Sequence, residues 1–331
     1  MKKIALTGIK PTGIPHIGNF LGAIQPALKL SESCEARYFI ADYHALNSTK
    51  DPEAIRQMSL QIAAAWLACG LDPNKVLFYK QSGVPETFEL LTMLLAYTPK
   101  GLMNRAHAYK AMLQSNAEAG KDPDDGVNMG LFTYPVLMAA DILLFDTDYV
   151  PVGNDQFQHV EMAVDIAQSF NFVHQCEAFK LPEPLAHEAS KTVLGLDGRK
   201  MSKSYGNIIP IFAPEKQLRK LIMKIVTNSQ SLEEPKDPDT CSVFSLYKCF
   251  ADEQQISALR ERYLAGGMGW GHAKQELFEV MNSKLRPYRE SFEQLMADPS
   301  HINSVLKQGS DKARELASAK IRDLRKILGI D

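Results

Sequence analysis

Within the first hundred residues a short β-prone run followed by a helix-length amphipathic segment occurs three times. KIALTGI (3–9) precedes HIGNFLGAIQPALKL (16–30), ARYFIADYHAL (36–46) precedes DPEAIRQMSLQIAAAWLACGL (51–71), and KVLFYKQS (75–82) precedes PETFELLTMLLAY (85–97). Strands separated by a helix cannot close as hairpins. They pair in parallel through right-handed crossovers, with helices covering both faces of the sheet. The second helix carries its own start signal, Asp51 as N-cap and Pro52 at the first helical position. From about 97 to 145 the spacing is helical throughout, as an insertion between two halves of the sheet would be, and YVPVG (149–153) and TVLGL (192–196) are later strand candidates. Beyond about 213 only helices are expected, interrupted by the loop NSQSLEEPKDPDTCS (228–242). The expected fold class is α/β: a Rossmann-type parallel sheet over 1–207 with a helical insertion at about 97–145, followed by an all-helical C-terminal domain over 211–331.

Composition narrows the class. Of 331 residues, 45% are apolar and 23% charged, as in soluble globular chains. No run approaches the roughly 18 apolar residues of a membrane span. MKKIALTGIKPTG turns polar too early for a signal peptide, so a cytoplasmic location is expected. Cys34, Cys69, Cys176, Cys241 and Cys249 form no CxxC pair and read as reduced structural thiols. The net charge of −2 is uneven, the first 210 residues leaning acidic and the rest basic. SDKARELASAKIRDLRKILG (310–329) reads as a basic helix with Ser310 as N-cap and Gly329 as stop. Ala313, Ala317, Ile321, Leu324 and Leu328 form its docking stripe. Lys312, Lys320, Arg322, Arg325 and Lys326 fall mostly off that stripe and are available to a polyanion.

Two motifs face phosphates. The first strand runs into TGIKPTGIPHIGN (7–19), where Gly8, Gly13 and Gly18 permit close backbone approach and His16, Gly18 and Asn19 open a helix whose N–H groups favour anions. The spacing is neither a dinucleotide fingerprint nor a Walker loop. The second motif, GRKMSKSYGN (198–207), sets Arg199, Lys200 and Lys203 between glycines, a mobile cationic loop able to follow a leaving group. A third stretch, YPVLMAADILLFDTDYVPVGNDQFQH (134–159), places Asp141 inside an apolar helical run, where an unpartnered carboxylate costs several kcal/mol. Tyr134, Met138 and Asp141, spaced i, i+4, i+7, share one helical face.

HIGN (16–19) resembles the first signature of the class I aminoacyl-tRNA synthetases, and KMSKS (200–204) matches their second letter for letter, about 180 residues later. MAADILLFDTDYVPVGNDQFQHVE (138–161) is most similar to the tryptophanyl-tRNA synthetases, with the tyrosyl enzymes as nearest relatives. The resemblance implies ATP, as its Mg2+ complex, for activating L-tryptophan to an adenylate, and transfer to the 3′ end of tRNA(Trp). It implies a homodimer and an anticodon-binding role for 211–331. It assigns His16, Lys200 and Lys203 to catalysis. To ATP it assigns Lys10, Pro11, Thr12, Gly18, Asn19, Gly153, Asn154, Asp155 and Val193, together with Lys200, Met201, Ser202, Lys203 and Ser204. Asp141 would accept the indole N–H in a pocket completed by Met138, Tyr134, His44, Gln156, Gly8, Leu6, Val150 and Val152. The chain departs from the family at Lys10, where Gln is usual, and at RAHAYK (105–110), where Ala108 replaces a Gln. No metal site is expected in the chain, and no iron–sulfur cluster, because Cys241 and Cys249 lack the close spacing that some members carry. The rival readings are tyrosine as substrate, a non-catalytic paralogue, and a small-molecule adenylyltransferase. The last leaves the C-terminal helices unexplained.

Overall fold

The computed structural model describes residues 2–153, 156–186 and 193–331. Five strands form one sheet in the order β3–β2–β1–β4–β5, every neighbouring pair parallel: β1 Ile4–Ile9, β2 Glu35–Ile40, β3 Val76–Lys80, β4 Tyr149–Val152 and β5 Glu183–Ala186. Ile9 pairs with Ile40 and Ile40 with Lys80, so β1, β2 and β3 end in line. The chain builds outward from β1 to one side and then, after the helical insertion, to the other. A crevice therefore opens beyond the carboxyl ends of β1 and β4, where a doubly wound sheet holds its ligand.

The period-2 alternation of the strands sorts side chains onto two cores. Ile9, Ala36, Tyr38, Ile40, Val76 and Phe78 pack with the Pro52–Ala68 helix and with the helices after 213. Leu6, Phe39, Tyr79, Val150 and Val152 pack under the insertion helices. Asp51 caps Pro52–Ala68 by accepting from Glu53 N–H at 2.9 Å, as its sequence signal indicates. After the helix Glu86–Leu95, the insertion comprises helices Lys100–Met103, His107–Glu118 and Met129–Leu143. Asp148 staples the sheet. Burial alone would push its carboxyl up, but the Ile4 N–H, Lys180 and Lys3 outweigh that and hold it far below the usual range.

Three sequence expectations are corrected. The run ARYFIADYHAL is not one strand: it leaves the sheet after Ile40 and forms a short helix, Asp42–Ala45. TVLGL is not the fifth strand. Leu194 makes only an isolated antiparallel bridge to Lys200, and Thr192 lies outside the described residues. The fifth strand is Glu183–Ala186, whose Pro184 lacks an N–H and disguises it as loop. An edge strand tolerates that loss. Finally, Ser310 is no N-cap, because the last helix runs from Ser300 to Leu328 and continues through it. Gly329 does end that helix, in a left-handed conformation at φ +67°.

The last helix returns to the sheet. Ala313, Ala317, Ile321 and Leu324 are buried in the same cluster as Leu6 and Tyr79. Its cations meet acids of the first half: Arg325 takes both oxygens of Glu89 (2.6 and 2.8 Å), Arg314 reaches Glu86, and Lys320 reaches Asp146 and the Ala178 carbonyl.

Candidate active site

The first motif is built by local capping. His16 precedes a helical run that starts at Ile17; its Nδ1 accepts from Asn19 N–H at 3.3 Å while its own N–H donates to Asn19 Oδ1 at 3.1 Å, a reciprocal box. Gly18 is required here, because a Cβ would lie 2.9 Å from the His16 ring. The ring is 8% exposed, and burial, reinforced by the Lys203 charge, lowers its pKa to about 4. His16 is therefore neutral at physiological pH.

The second motif folds onto the first. Ile17 N–H donates to the Ile209 carbonyl at 2.9 Å and Ile211 N–H to the Pro15 carbonyl at 3.2 Å, so the chain leaving the cationic loop lines the first turn. Within the loop, Met201 N–H donates to the Val193 carbonyl at 2.8 Å, and Met201 is buried as the anchor. Ser202 and Ser204 share a hydroxyl contact at 2.8 Å. Lys200, Lys203 and Ser204 are exposed. The Lys203 ammonium bridges back to the Thr12 carbonyl, closing the two motifs on each other. Partial desolvation of their ammonium groups by neighbouring atoms lowers the pKa of Lys203, and likewise of Lys10 at the end of β1, although both side chains are exposed overall. Pro11 is buried and Thr12 exposed beside them, while Gly153 sits exposed at the end of β4. Asn154 and Asp155 lie outside the described residues.

Asp141 has partners. It is 2% exposed on the Met129–Leu143 helix. Gln81 Nε2 lies 3.0 and 2.8 Å from its two oxygens, and His44 Nε2 lies 3.1 Å from Oδ2. Burial raises its pKa; the His44 and Gln81 bonds pull against that, and the charge of Asp42 adds to it. Tyr134, on the same face, meets the His44 ring edge-on at 6.3 Å and bonds through its hydroxyl to His159 Nε2 at 2.6 Å. His159 Nδ1 in turn lies 2.8 Å from Gln156 Oε1. Val150 and Val152 are buried in one apolar cluster with Leu6, against which Met138 packs half-buried. Leu6, 1% exposed, is a core residue as well as a candidate wall. Gly8 must stay glycine, since a Cβ there would lie 2.7 Å from the Phe39 ring.

The structure thus assembles a polar cluster, around Asp141 and Tyr134, and a cationic group, around His16 and Lys203, from segments far apart in sequence. Sequence reasoning missed three residues that hold them. Gln81 ends a strand run where a buried amide had no local signal. His159 stands in the sequence only at the end of a longer motif. Asn207, 3% exposed, ties the cationic loop by accepting from Ser202 N–H (2.8 Å) and donating to Asp197 (2.7 Å) and the Lys200 carbonyl (3.1 Å).

The family of tRNA synthetases class I (W and Y) matches residues 2–286. A tryptophan–tRNA ligase of Pseudomonas aeruginosa is 51% identical over 98% of this chain and 73% of its own length. One of Neisseria meningitidis is 48% identical over 99% of this chain and 98% of its own length. Among solved structures, tryptophanyl-tRNA synthetase from Campylobacter jejuni complexed with ADP and tryptophan superposes with a TM-score of 0.90 at 46% identity, covering 98% of this chain and 99% of that one.

Proposed function

The chain belongs to the class I tRNA synthetases for tryptophan and tyrosine, and from that premise we propose how its residues divide the work. Its activity is that of a tryptophan–tRNA ligase. The tryptophan carboxylate attacks the α-phosphate of ATP, releasing pyrophosphate. The 3′-terminal hydroxyl of tRNA(Trp) then displaces AMP from the adenylate. No covalent enzyme intermediate is required, so the protein supplies positioning and charge stabilisation.

Asp141 is the acceptor for the indole N–H. The observation that carries this reading is a carboxylate 2% exposed whose bonds, two from Gln81 and one from His44, leave Oδ1 with acceptor capacity. Such a site rejects side chains without the matching donor by roughly 10⁴–10⁵, because the buried acceptor is left unpaired. Met138, Leu6, Gly8, Val150 and Val152 wall the ring, and Tyr134, His44 and Gln156 supply its polar edge.

ATP enters as its Mg2+ complex over Lys10, Pro11, Thr12, Gly18 and Asn19, with Gly153, Asn154, Asp155 and the Val193 backbone toward the nucleoside. Neutral His16 donates toward the α-phosphate, and Lys200 and Lys203 follow the departing pyrophosphate. Lys203 already reaches across to Thr12, and the loop is flanked by Gly198 and Gly206, both at positive φ. The phosphates would take over from the Thr12 carbonyl.

Residues 1–207 form the catalytic domain and 211–331 the anticodon-binding domain, and the enzyme works as a cytoplasmic homodimer. Among the described residues no helix is long and apolar enough to cross a membrane. The test is pyrophosphate exchange with each of the twenty amino acids, by the unmodified enzyme and by Asp141→Ala. Tryptophan alone should support exchange, and the variant should lose it without losing ATP binding. Near-normal kcat/KM for tryptophan in the variant would refute the assignment.

A further inference from the structure

We infer that Gln81 is a specificity-positioning residue: it holds Asp141 in the orientation and charge state that select tryptophan, without itself touching substrate. This rests on the reading of Asp141 as the indole acceptor.

Gln81 is 1% exposed and lies just past the end of β3, where β2 ends alongside. The turns beyond these two strands are laced together. Asp42 accepts from the Ser82 N–H at 3.0 Å and from the Ser82 hydroxyl, and Lys80 Nζ lies 3.6 Å from Asp42. The orientation of the Gln81 amide follows from its neighbours. Tyr43 N–H, 3.1 Å away, needs an acceptor, so Oε1 faces Tyr43 and Nε2 faces Asp141. The amide therefore presents donors to both carboxylate oxygens, and both ends of the side chain are occupied.

The two supports of Asp141 differ in kind. His44 places an N–H on Nε2 in only one of its neutral tautomers, so its donation is conditional. An amide has no such alternative, so Gln81 always donates. Burial and Asp42 push the Asp141 carboxyl toward its neutral form, which would point an O–H where the substrate needs an acceptor. A fixed pair of donors opposes that and fixes the plane of the carboxylate, leaving the remaining lone pair of Oδ1 in one place. Gln81 thus acts on tryptophan through one atom of the substrate, the indole nitrogen.

That single-atom dependence supplies the test. Pyrophosphate exchange is measured with L-tryptophan and with 3-benzothienyl-L-alanine, in which sulfur replaces the N–H. Gln81→Met, similar in length but without donors, should lower kcat/KM for tryptophan about 10- to 100-fold, the loss expected for a bond to a charged group. The loss should appear in KM for tryptophan, with KM for ATP unchanged, while use of the benzothienyl analogue stays within about twofold of its own unmodified level. Gln81→Glu, nearly isosteric, sets a second carboxylate against Asp141, so the pair shares a proton. Tryptophan KM should then rise with increasing pH as the pair loses that shared proton and the introduced carboxyl stops donating, a rise the unmodified enzyme does not show. Equal losses for both amino acids in Gln81→Met, with no new pH dependence in Gln81→Glu, would overturn the inference and leave Gln81 as scaffold. Should Gln81→Met fail to fold, Gln81→Glu decides by its pH profile. Asp141→Ala, which removes the acceptor, separates the two levels: no change in the tryptophan-to-analogue ratio refutes the indole-acceptor reading itself. A collapse of that ratio in Asp141→Ala but not in Gln81→Met refutes only the role of Gln81.

Discussion

Gly309→Ala sets two effects of opposite sign against each other. In an exposed helix the change would stabilise by about 1 kcal/mol, since glycine loses the most backbone freedom on folding. Gly309 is buried against β3, and a Cβ there would lie 1.8 Å from the Phe78 carbonyl oxygen and 2.6 Å from its carbon. Both atoms belong to the backbone of a sheet strand, so no side chain can swing aside. Helix and strand would have to separate by well over an ångström, a backbone displacement within a close-packed layer. Overpacking costs about 1–3 kcal/mol and more when backbone must move. A 1.8 Å contact with backbone puts the cost at the top of that range, so about 3 less about 1 leaves a net loss of about 2 kcal/mol and the clash wins. Its unfolding midpoint at a fixed scan rate should drop by several degrees.

The same displacement has a functional reading. Ser310 Oγ lies 3.4 Å from the Lys80 N–H and close enough to Gly83 that a Cβ on that glycine would be 2.4 Å away. Lys80 and Gly83 bracket the turn that carries Gln81. Gly309→Ala should therefore raise KM for tryptophan several-fold while KM for ATP barely moves, because the cationic group is assembled from β1 and the loop at 198–207. A variant as stable as the unmodified protein would refute the packing argument. A destabilised variant with both KM values unchanged would refute the link to the pocket.

Lys203→Ala should lower kcat for exchange far more than it raises KM for tryptophan, because the pyrophosphate contact strengthens only as the bond breaks; an unchanged kcat removes Lys203 from the mechanism. His16, with a pKa of about 4 when folded and near 6.5 when unfolded, should give stability that is present above pH 6.5 and lost as pH falls toward 4, by up to about 3 kcal/mol. His16→Asn, which keeps a capping side chain, should flatten that slope in denaturant titrations across pH, and identical slopes would refute the burial argument. Lys312→Ala with Arg322→Ala, both exposed, should leave exchange intact while weakening tRNA charging and reducing the salt dependence of tRNA affinity. Unchanged charging at physiological salt would make this helix scaffold only.

What was legible in the sequence is what local chemistry determines. Alternation of strands and helices gave the parallel sheet, Asp51–Pro52 the start of a helix, and the spacing of Tyr134, Met138 and Asp141 their common face. Glu183–Ala186 was hidden because its pairing comes from β4, not from its own propensity, and Pro184 masks it further. TVLGL looks like a strand for the converse reason, having β-branched and apolar residues, but its described residues make only an isolated bridge, Leu194 to Lys200, and join no strand of the sheet.

Charge shows the same limit at longer range. The basic residues near the C-terminus read as a polyanion-facing group because a sequence lists cations without their partners. Folding returns the last helix to the sheet, and there Arg325 is engaged by Glu89, Arg314 by Glu86 and Lys320 by Asp146, acids more than 170 positions earlier. The positive charge left for a nucleic acid is correspondingly smaller and lies on residues such as Lys312 and Arg322. The buried pair of Gln81 and Asp141 is the same phenomenon without solvent. Each residue looks anomalous alone, an amide at the end of a strand and an acid in an apolar helix, and 60 positions separate them. An expensive residue with no local partner therefore signals a distant one, and the identity of that partner is what the sheet and the insertion helix together determine.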